Sequence, residues 1–353
     1  MKILSVVGAR PQFVKLAPVA EALAATEAEH VIVHTGQHYD AAMSDVFFQD
    51  LGIPAPDLHL AVGSGSHGRQ TGAMLAAMDE VLEQHQPDWV LVYGDTNSTV
   101  AGALSAVKMH IPLAHLEAGL RSFNRRMPEE HNRVLTDHAA DLCLAPTEVA
   151  MGHLATEGLS NRSILVGDVM TDVLYRVRDL VSNLVSEVPI ELRGDAFRVA
   201  TLHRPDNTDD ETRLRSIIDG LSQLDVPTLL LAHPRLRARA AEFGLDLASG
   251  SIVVADPLPY PQLVRAVMDS VGVITDSGGL QKEAFLLGTP CTTVRTETEW
   301  IETVELGWNV LVDDPRELAR AIDRPIPAET DATPYGDGHA AKRVADALLT
   351  QRP

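Results

Sequence analysis

Cysteine is nearly absent: Cys143 and Cys291 are the only two in 353 residues. That excludes a disulfide framework as the basis of the fold. Each cysteine lies in an apolar, strand-like run, where a small buried side chain is the expected role. Long apolar runs are also missing. No stretch approaches the roughly 18 residues that a membrane span requires. The opening "MKILSVVGARP" is too short an apolar run for a signal peptide and passes straight into a loop, so a cytoplasmic protein is expected. Positive charge is scarce, with 29 basic against 49 acidic residues and a net charge of −20. Such a balance disfavours a general partner among nucleic acids or anionic membranes. An anionic ligand would need a local positive site that works against the global field. Arginine greatly outnumbers lysine. Metal-ligand patterns are lacking as well: the 14 histidines are scattered, with no HExxH and no Cys/His spacing, so no metal is expected.

What is present is length and alternation. The chain is about twice the usual domain length, so two domains are expected. Its 45% hydrophobic content is ordinary for a globular protein and sufficient for a large core. Short β-branched runs alternate with helical segments. Strands are expected at 2–8, 30–36, 88–95, 112–119, 141–146 and 163–168, and helices at 10–25, near 40–51, over 67–86 and near 170–186. The second half repeats the style, with strands at 197–203, 227–233, 251–256, 271–276 and 291–295 and a last helix at 339–351. Apolar runs of four to six residues separated by helices imply parallel sheets covered on both faces. Pro189 and Gly194 in "SEVPIELRGD" (186–195) mark a boundary stretch. The chain is therefore divided into residues 1–170 and 171–353, with the helix near 170–186 counted in the second part. The expected class is α/β, with two doubly wound domains presenting their strand-end rims to one deep cleft. In such sheets ligands bind beyond the carboxyl ends of the strands.

Those strand ends carry the chemistry. "TDSGGLQKEA" (275–284) ends a strand at Asp276 and opens a helix at Ser277-Gly278-Gly279. Backbone N–H groups at a helix start bind phosphate, and glycines allow close approach. Glu283, one turn on, suits ribose hydroxyls. Ser277 alone also makes an ordinary helix cap. Arg10 and Lys15 in "GARPQFVK" add cations suited to phosphate, although Lys15 also fits a solvated helix face. Asp95 ends an apolar strand and is either functional or an N-cap. Glu117 ends another and needs a partner, for which Arg121 is nearest in sequence. In "RRMPEEHNR" (125–133), Pro128, Glu129 and Glu130 suit a helix start, or else place acids for proton transfer beside an anionic ligand. His203 and His233 each end a strand, open to a structural, phosphate-contact or acid–base role. "GSGSHG" (63–68) matches a dinucleotide fingerprint, but it follows only a weak strand and not the first of the fold, so NAD is not expected.

Taken in order, "GARP…K" (8–15), "GQH" (36–38), "GDT" (94–96), "EAGLRS" (117–122), "PEEHNRVLTDH" (128–138), "DSGGLQKEA" (276–284) and "TPYGDG" (333–338) resemble the non-hydrolysing UDP-N-acetylglucosamine 2-epimerases. The resemblance implies two Rossmann-like domains of the GT-B type, with the last helix often returning to the first. It implies interconversion of UDP-N-acetylglucosamine and UDP-N-acetylmannosamine without NAD or metal, usually in a homodimer. Alternatives are an epimerase of a modified UDP-hexose, a hydrolysing relative that releases N-acetylmannosamine, and a GT-B glycosyltransferase. Carboxylate roles would fall on Asp95, Glu117 and Glu129. UDP contacts would fall on Arg10, Lys15, His203, Ser277, Gly278, Gly279 and Glu283. Gln37, His38, Arg69 and Gln70 resemble parts of a regulatory site for a second UDP-N-acetylglucosamine. Departures from the family pattern are Gln12 for a Glu, Pro205 and Asp206 in "HRPDN", and "TEWIE" (298–302) where "TERPE" is usual.

Overall fold

The computed structural model describes residues 1–37, 54–182 and 186–351. The expected helix at 40–51, and His38 with it, lie outside the described residues, as does the side chain of Arg10. The chain forms two compact units, residues 1–173 with 333–353, and residues 174–332.

In the first unit seven parallel strands form one sheet. They are β1 (Lys2–Val7), β2 (Glu29–His34), β3 (Leu58–His59), β4 (Trp89–Tyr93), β5 (Leu113–Leu116), β6 (Leu142–Ala145) and β7 (Ser163–Leu165), in the order β3-β2-β1-β4-β5-β6-β7. Strand order reverses between β1 and β4, where Val6 pairs with Val92. This register sets Gly8 and Ala9 beside Tyr93 and Gly94. Both faces are covered. Ile3 and Val7 pack on one side with Leu16 and Leu23, while Leu4 and Val6 pack on the other with Met78, Leu82 and Ala103. That alternation explains why β1 reads as one continuous apolar run.

The second unit builds six parallel strands: β8 (Arg198–Thr201), β9 (Thr228–Leu231), β10 (Ile252–Ala255), β11 (Val273–Thr275), β12 (Cys291–Thr293) and β13 (Asn309–Leu311). Their order is β10-β9-β8-β11-β12-β13, with the reversal between β8 and β11. It repeats the first unit's plan, and only β13 was not expected from sequence. Three residues with a polar Asn at their head give β13 no periodicity to read.

The division between units falls inside the helix Val169–Val181, upstream of the Pro189–Gly194 stretch. Val188, Leu192 and Phe197 are buried against Val199 and Leu229, so that stretch belongs to the second unit's core. The last helix, Ala340–Thr350, belongs to the first unit. Ala341, Val344 and Leu348 pack with Ile3, Leu16 and Leu23. Its first N–H groups, from Ala340 and Ala341, donate to the Asp172 carboxylate at 3.0 and 2.8 Å. The preceding "PYGDG" guides it there. Tyr335 is fully buried, its carbonyl accepts from Asp168 N at 3.0 Å, and Gly336 lies against Gly167 too closely for a free Cβ.

Leu348→Ala removes a fully buried side chain from this helix. It is expected to destabilise the first unit by about 2–5 kcal/mol in urea unfolding. A change below about 0.5 kcal/mol, the scale of surface substitutions, would show that the helix contributes no core packing.

Candidate active site

The polar strand ends of the first unit meet around the β1/β4 reversal. Lys15, on the helix Arg10–Ala24, forms an ion pair with Glu117 that is largely shielded from water. Burial works to lower the Lys15 pKa, but Glu117, Asp95 and, more weakly, Asp168 outweigh it and hold the ammonium above its usual range. Lys15 is thus a buried member of the cluster rather than part of a solvated face. Glu117 sits just past β5 in the left-handed region, at φ 73°. Such a backbone is costly for a side-chain-bearing residue and persists only where its surroundings fix it. Gly94, just past β4 at φ 59°, lies against the pair. A Cβ there would come within 3.1 Å of both Lys15 Nζ and Glu117 Oε2.

Asp95 follows Gly94. It is not the cap of the next helix, Asn97–Lys108. Thr96 is the cap, its hydroxyl accepting from Thr99 N, because the left-handed turn at Gly94 delays the helix start by one residue. Asp95 instead pairs with Arg133, at 2.7 Å from Nη2 and 2.9 Å from Nε, and its carbonyl accepts from Asn132 at 2.8 Å. Nor does Arg121 pair with Glu117. The chain turns through positive φ at Glu117 and again at Gly119, which sends Arg121 to Asp137 at 2.7 Å and Glu157 at 2.8 Å.

The helix Pro128–Ala139 brings Asn132 and Arg133, along with two neighbouring acids that differ in environment. Glu130 is buried and accepts from Ser122 N and Oγ (2.8 Å each), Phe123 N (2.9 Å) and Arg133 Nη1 (3.2 Å). Glu129 is half-buried and has no hydrogen bond among the described residues. Gln12, where a Glu is usual, is buried. It accepts from Gly8 N and Ala9 N and donates to Tyr93 O and Thr99 Oγ1, so it ties the β1 turn to the β4 turn.

The second unit uses its own reversal, between β8 and β11. Asp276 is fully buried and accepts from His203 N, Arg204 N and Asn207 Nδ2 at 2.9–3.1 Å, with His203 Nδ1 at 2.9 Å. Burial raises this carboxyl, but the His203 ring and these donors outweigh it and hold it below its usual range. His203 is 44% exposed at the side chain, so its ring is anchored on one edge and accessible on the other. His233 caps the helix Pro234–Glu242 through Arg235 N at 3.2 Å, 6.2 Å from the His203 ring. Ser277 caps the helix Gly278–Leu286, whose first turn carries no acid. The space beyond Gly279 is open. The Glu299 carboxylate that lies near Gly278 is paired with Arg295 at 3.0 Å, and the N–H groups of a helix start suit an anion. Glu283 accepts from the Tyr260 hydroxyl at 2.9 Å. Trp300, at the Arg position of the usual "TERPE", is buried under Lys282, whose ammonium lies 4.1 Å from the ring centroid. Pro205 begins the short helix Pro205–Thr208, and Asp206 is exposed.

Of the regulatory resemblance, Gln37, Arg69 and Gln70 are described, and Gln70 Nε2 donates to the Gln37 carbonyl at 3.3 Å. Gln37 is buried and accepts from Ser98 N and Oγ at 3.0 and 2.7 Å. Gln70 bridges Gly63 O and Asn97 at 2.8 Å each. Arg69 is exposed. "GSGSHG" leads into the helix His67–His85 after the edge strand β3. Among the described residues no group of three or more His, Cys, Asp or Glu side chains forms a metal cluster. Sequence reasoning missed Arg133, Gln12, Asn207 and Asp137. Arg133 and Asp137 lie within quoted motifs, where a charged residue inside a helix otherwise rich in partners was the available signal.

Two parallel sheets, each with polar residues at its strand-order reversal, define an α/β protein of the GT-B-like class. The family profile of UDP-N-acetylglucosamine 2-epimerases matches residues 21–349. The chain is 46% identical over 360 residues to UDP-2,3-diacetamido-2,3-dideoxy-D-glucuronate 2-epimerase of Pseudomonas aeruginosa, covering 99% of each chain. It is 39% identical to UDP-N-acetylglucosamine 2-epimerase of Methanocaldococcus jannaschii, over 99% of each. The crystal structure of that organism's enzyme with UDP-GlcNAc and UDP superposes with a TM-score of 0.83 at 37% identity, covering 99% of this chain and 100% of that one. The chain belongs to the UDP-N-acetylglucosamine 2-epimerase family, a family of isomerases.

Glu130 yields a pH-dependent prediction. Burial pushes its carboxyl up, but the Ser122 and Phe123 donors and Arg133 outweigh this and hold it below its usual range. Its stabilisation is therefore complete above the unfolded glutamate value of about 4.3 and is lost as pH falls through the lowered folded value. Glu130→Gln is expected to cost about 1–3 kcal/mol at pH 7, with the gap from wild type closing below about pH 4.3. Urea unfolding across pH measures it. A gap that stays constant into acid would reject the ionic role.

Proposed function

We propose that the chain epimerises a UDP-2-acetamido sugar at C2, interconverting UDP-N-acetylglucosamine and UDP-N-acetylmannosamine. The observation that carries this reading is the meeting of Asp95, Lys15, Glu117 and Arg133 at adjoining strand ends in a chain of this family. The C2 proton is weakly acidic, so its removal needs help. Loss of that proton coupled to departure of UDP from C1 gives 2-acetamidoglucal and UDP. Return of the proton to the opposite face, with re-addition of UDP, gives the epimer.

Inversion needs acid–base groups on both faces, or one mobile group. Asp95, Glu117 and Glu129 supply these roles in the proposal. Asp95 and Glu117 start as paired carboxylates, and Glu129 is free of a structural partner among the described residues. The leaving diphosphate needs positive potential in a chain of net charge −20. The proposal assigns that to Arg10, Lys15, His203 and the helix start at Ser277, Gly278 and Gly279, an electrostatic role. Glu283 would hold the ribose. Excluding water would protect the reactive glucal from side reactions.

A second reading has its own support. The Pseudomonas aeruginosa relative, at 46% identity over 99% of both chains, is named for a diacetamido uronate. The same C2 chemistry would apply to it.

Purified protein is offered each UDP sugar separately in D2O and followed by proton NMR. Interconversion with deuterium at C2 of the product is expected. The sugar with the higher kcat/KM identifies the substrate. Retention of the original proton, or release of a free sugar in place of a UDP-linked epimer, would overturn the elimination and re-addition reading. Glu117→Gln and Glu129→Gln are each expected to lower turnover by about 10²–10⁴-fold while UDP still binds. Near-wild-type turnover in both would sink the carboxylate assignment.

A further inference from the structure

His115 lies in β5, two residues before Glu117, and its side chain is fully buried. Both ring nitrogens face acceptors. Nδ1 is 2.6 Å from Asp137 Oδ1, and Nε2 is 2.7 Å from the Gly94 carbonyl. A neutral imidazole has one donor and one bare nitrogen. At these distances a bare nitrogen would set a lone pair against an oxygen. Placing the proton on Asp137 instead would turn its carboxylate into a neutral acid against the buried Arg121 guanidinium. Asp137 Oδ2 accepts from Gly119 N at 3.0 Å and from Arg121 Nη1 at 2.7 Å. The arrangement is therefore a charged ring against a charged carboxylate, with both ring N–H groups donating.

This pair reaches both sides of the candidate site. Through Nε2 it holds the carbonyl of Gly94, the left-handed residue just before Asp95 that packs on Lys15 and Glu117. Through Asp137 it holds the N–H of Gly119, the left-handed residue two places after Glu117. A side chain at Gly119 would strike the Ala150 carbonyl at 2.5 Å, so only glycine fits this turn. Asp137 is also on the helix that carries Glu129 and Arg133. The turns bearing Asp95 and Glu117 and the helix bearing Glu129 thus share one hydrogen-bonded bracket.

We propose that His115, held doubly protonated between Asp137 and the Gly94 carbonyl, is a positioning residue that sets the spacing of Asp95, Glu117 and Glu129. It is too deeply buried to touch substrate and acts through the backbone on either side of the carboxylates. The kinetic part of this inference rests on the epimerase reading. The state of the ring does not.

Two conservative variants separate the two bonds. In His115→Asn the amide occupies the Nδ1 position, keeping the donor to Asp137 and losing the one to Gly94. In His115→Gln the amide reaches the Nε2 position, keeping Gly94 and losing Asp137. Each is expected to lower kcat by roughly 10–100-fold, the scale of an ångström misplacement of reacting groups, with KM and the Kd for UDP changed less than about threefold. Variants that lose only thermal stability and keep wild-type kcat in the folded fraction would overturn the positioning role. Nitrogen-15 NMR of the wild-type protein, selectively labelled at histidine and assigned through His115→Gln, is expected to show two protonated nitrogens for this ring at neutral pH. One bare nitrogen would overturn the doubly donating state even if neither variant folds. Wild-type protein that leaves every UDP sugar unchanged would overturn the epimerase reading instead, and the nitrogen signals would still decide the ring.

Discussion

A carboxylate at the end of a buried strand must be paired, and most of the first unit's site follows from how Glu117 meets that requirement. Its partner is Lys15, from a different strand–helix turn. The pair lies against Gly94, where a Cβ would come within 3.1 Å of both charged ends, and Glu117 itself takes a left-handed backbone. Removing either partner would leave a charge in a region that water reaches poorly, which costs more than the pair contributes. The turns after β1, β4 and β5 are therefore fixed relative to one another by one ion pair. Gln12 reinforces it by bonding the first two turns together.

The two units solve a similar problem by different means. Each has its strand-order reversal, the place where crossover helices diverge and leave a crevice. In the first unit the crevice is lined by side chains of both signs, Lys15, Arg133, Asp95 and Glu117, whose charges balance. In the second it is lined by a helix start with Ser277 and two glycines, beside a histidine anchored on a buried aspartate. Balanced side-chain charge can hold and release protons. A helix start offers fixed N–H groups that neither titrate nor reorganise. Under the proposed function, this division of labour would let a strongly acidic chain offer an anion site without a large basic patch.

The plan of the fold was legible because its strands are buried on both faces and its helices are long enough to show a period. The strand-end residues were legible as a set, since polar types at the ends of apolar runs are conspicuous. Their pairings were not. Sequence proximity pointed Glu117 at Arg121, but two left-handed residues in three positions reverse the chain's direction, and nothing in "EAGLR" announces that Glu117 itself is one of them. A cap role for Asp95 stayed open beside a functional one because the one-residue delay at Gly94 is invisible without coordinates. Gln12 is a departure from the family pattern that looks like a lost charge. In place it is a four-way tie between turns, a role an amide fills with both donor and acceptor.

The stretch "RRMPEEHNR" shows how one helical turn divides its work. Pro128 and the two glutamates make a good start for a helix, and composition would give both acids the same task. Helix geometry does not. Adjacent residues point about 100° apart, so only one of the two can face the preceding loop. Glu130 takes that direction, and its oxygens are used by Ser122, Phe123 and Arg133. Arg133, one turn on, joins Glu130 to Asp95 and carries the loop's order into the β4 turn. Because Glu130 answers the structural demand, Glu129 is left with a carboxylate that holds no loop, which is the condition a group needs in order to exchange a proton without loosening the fold.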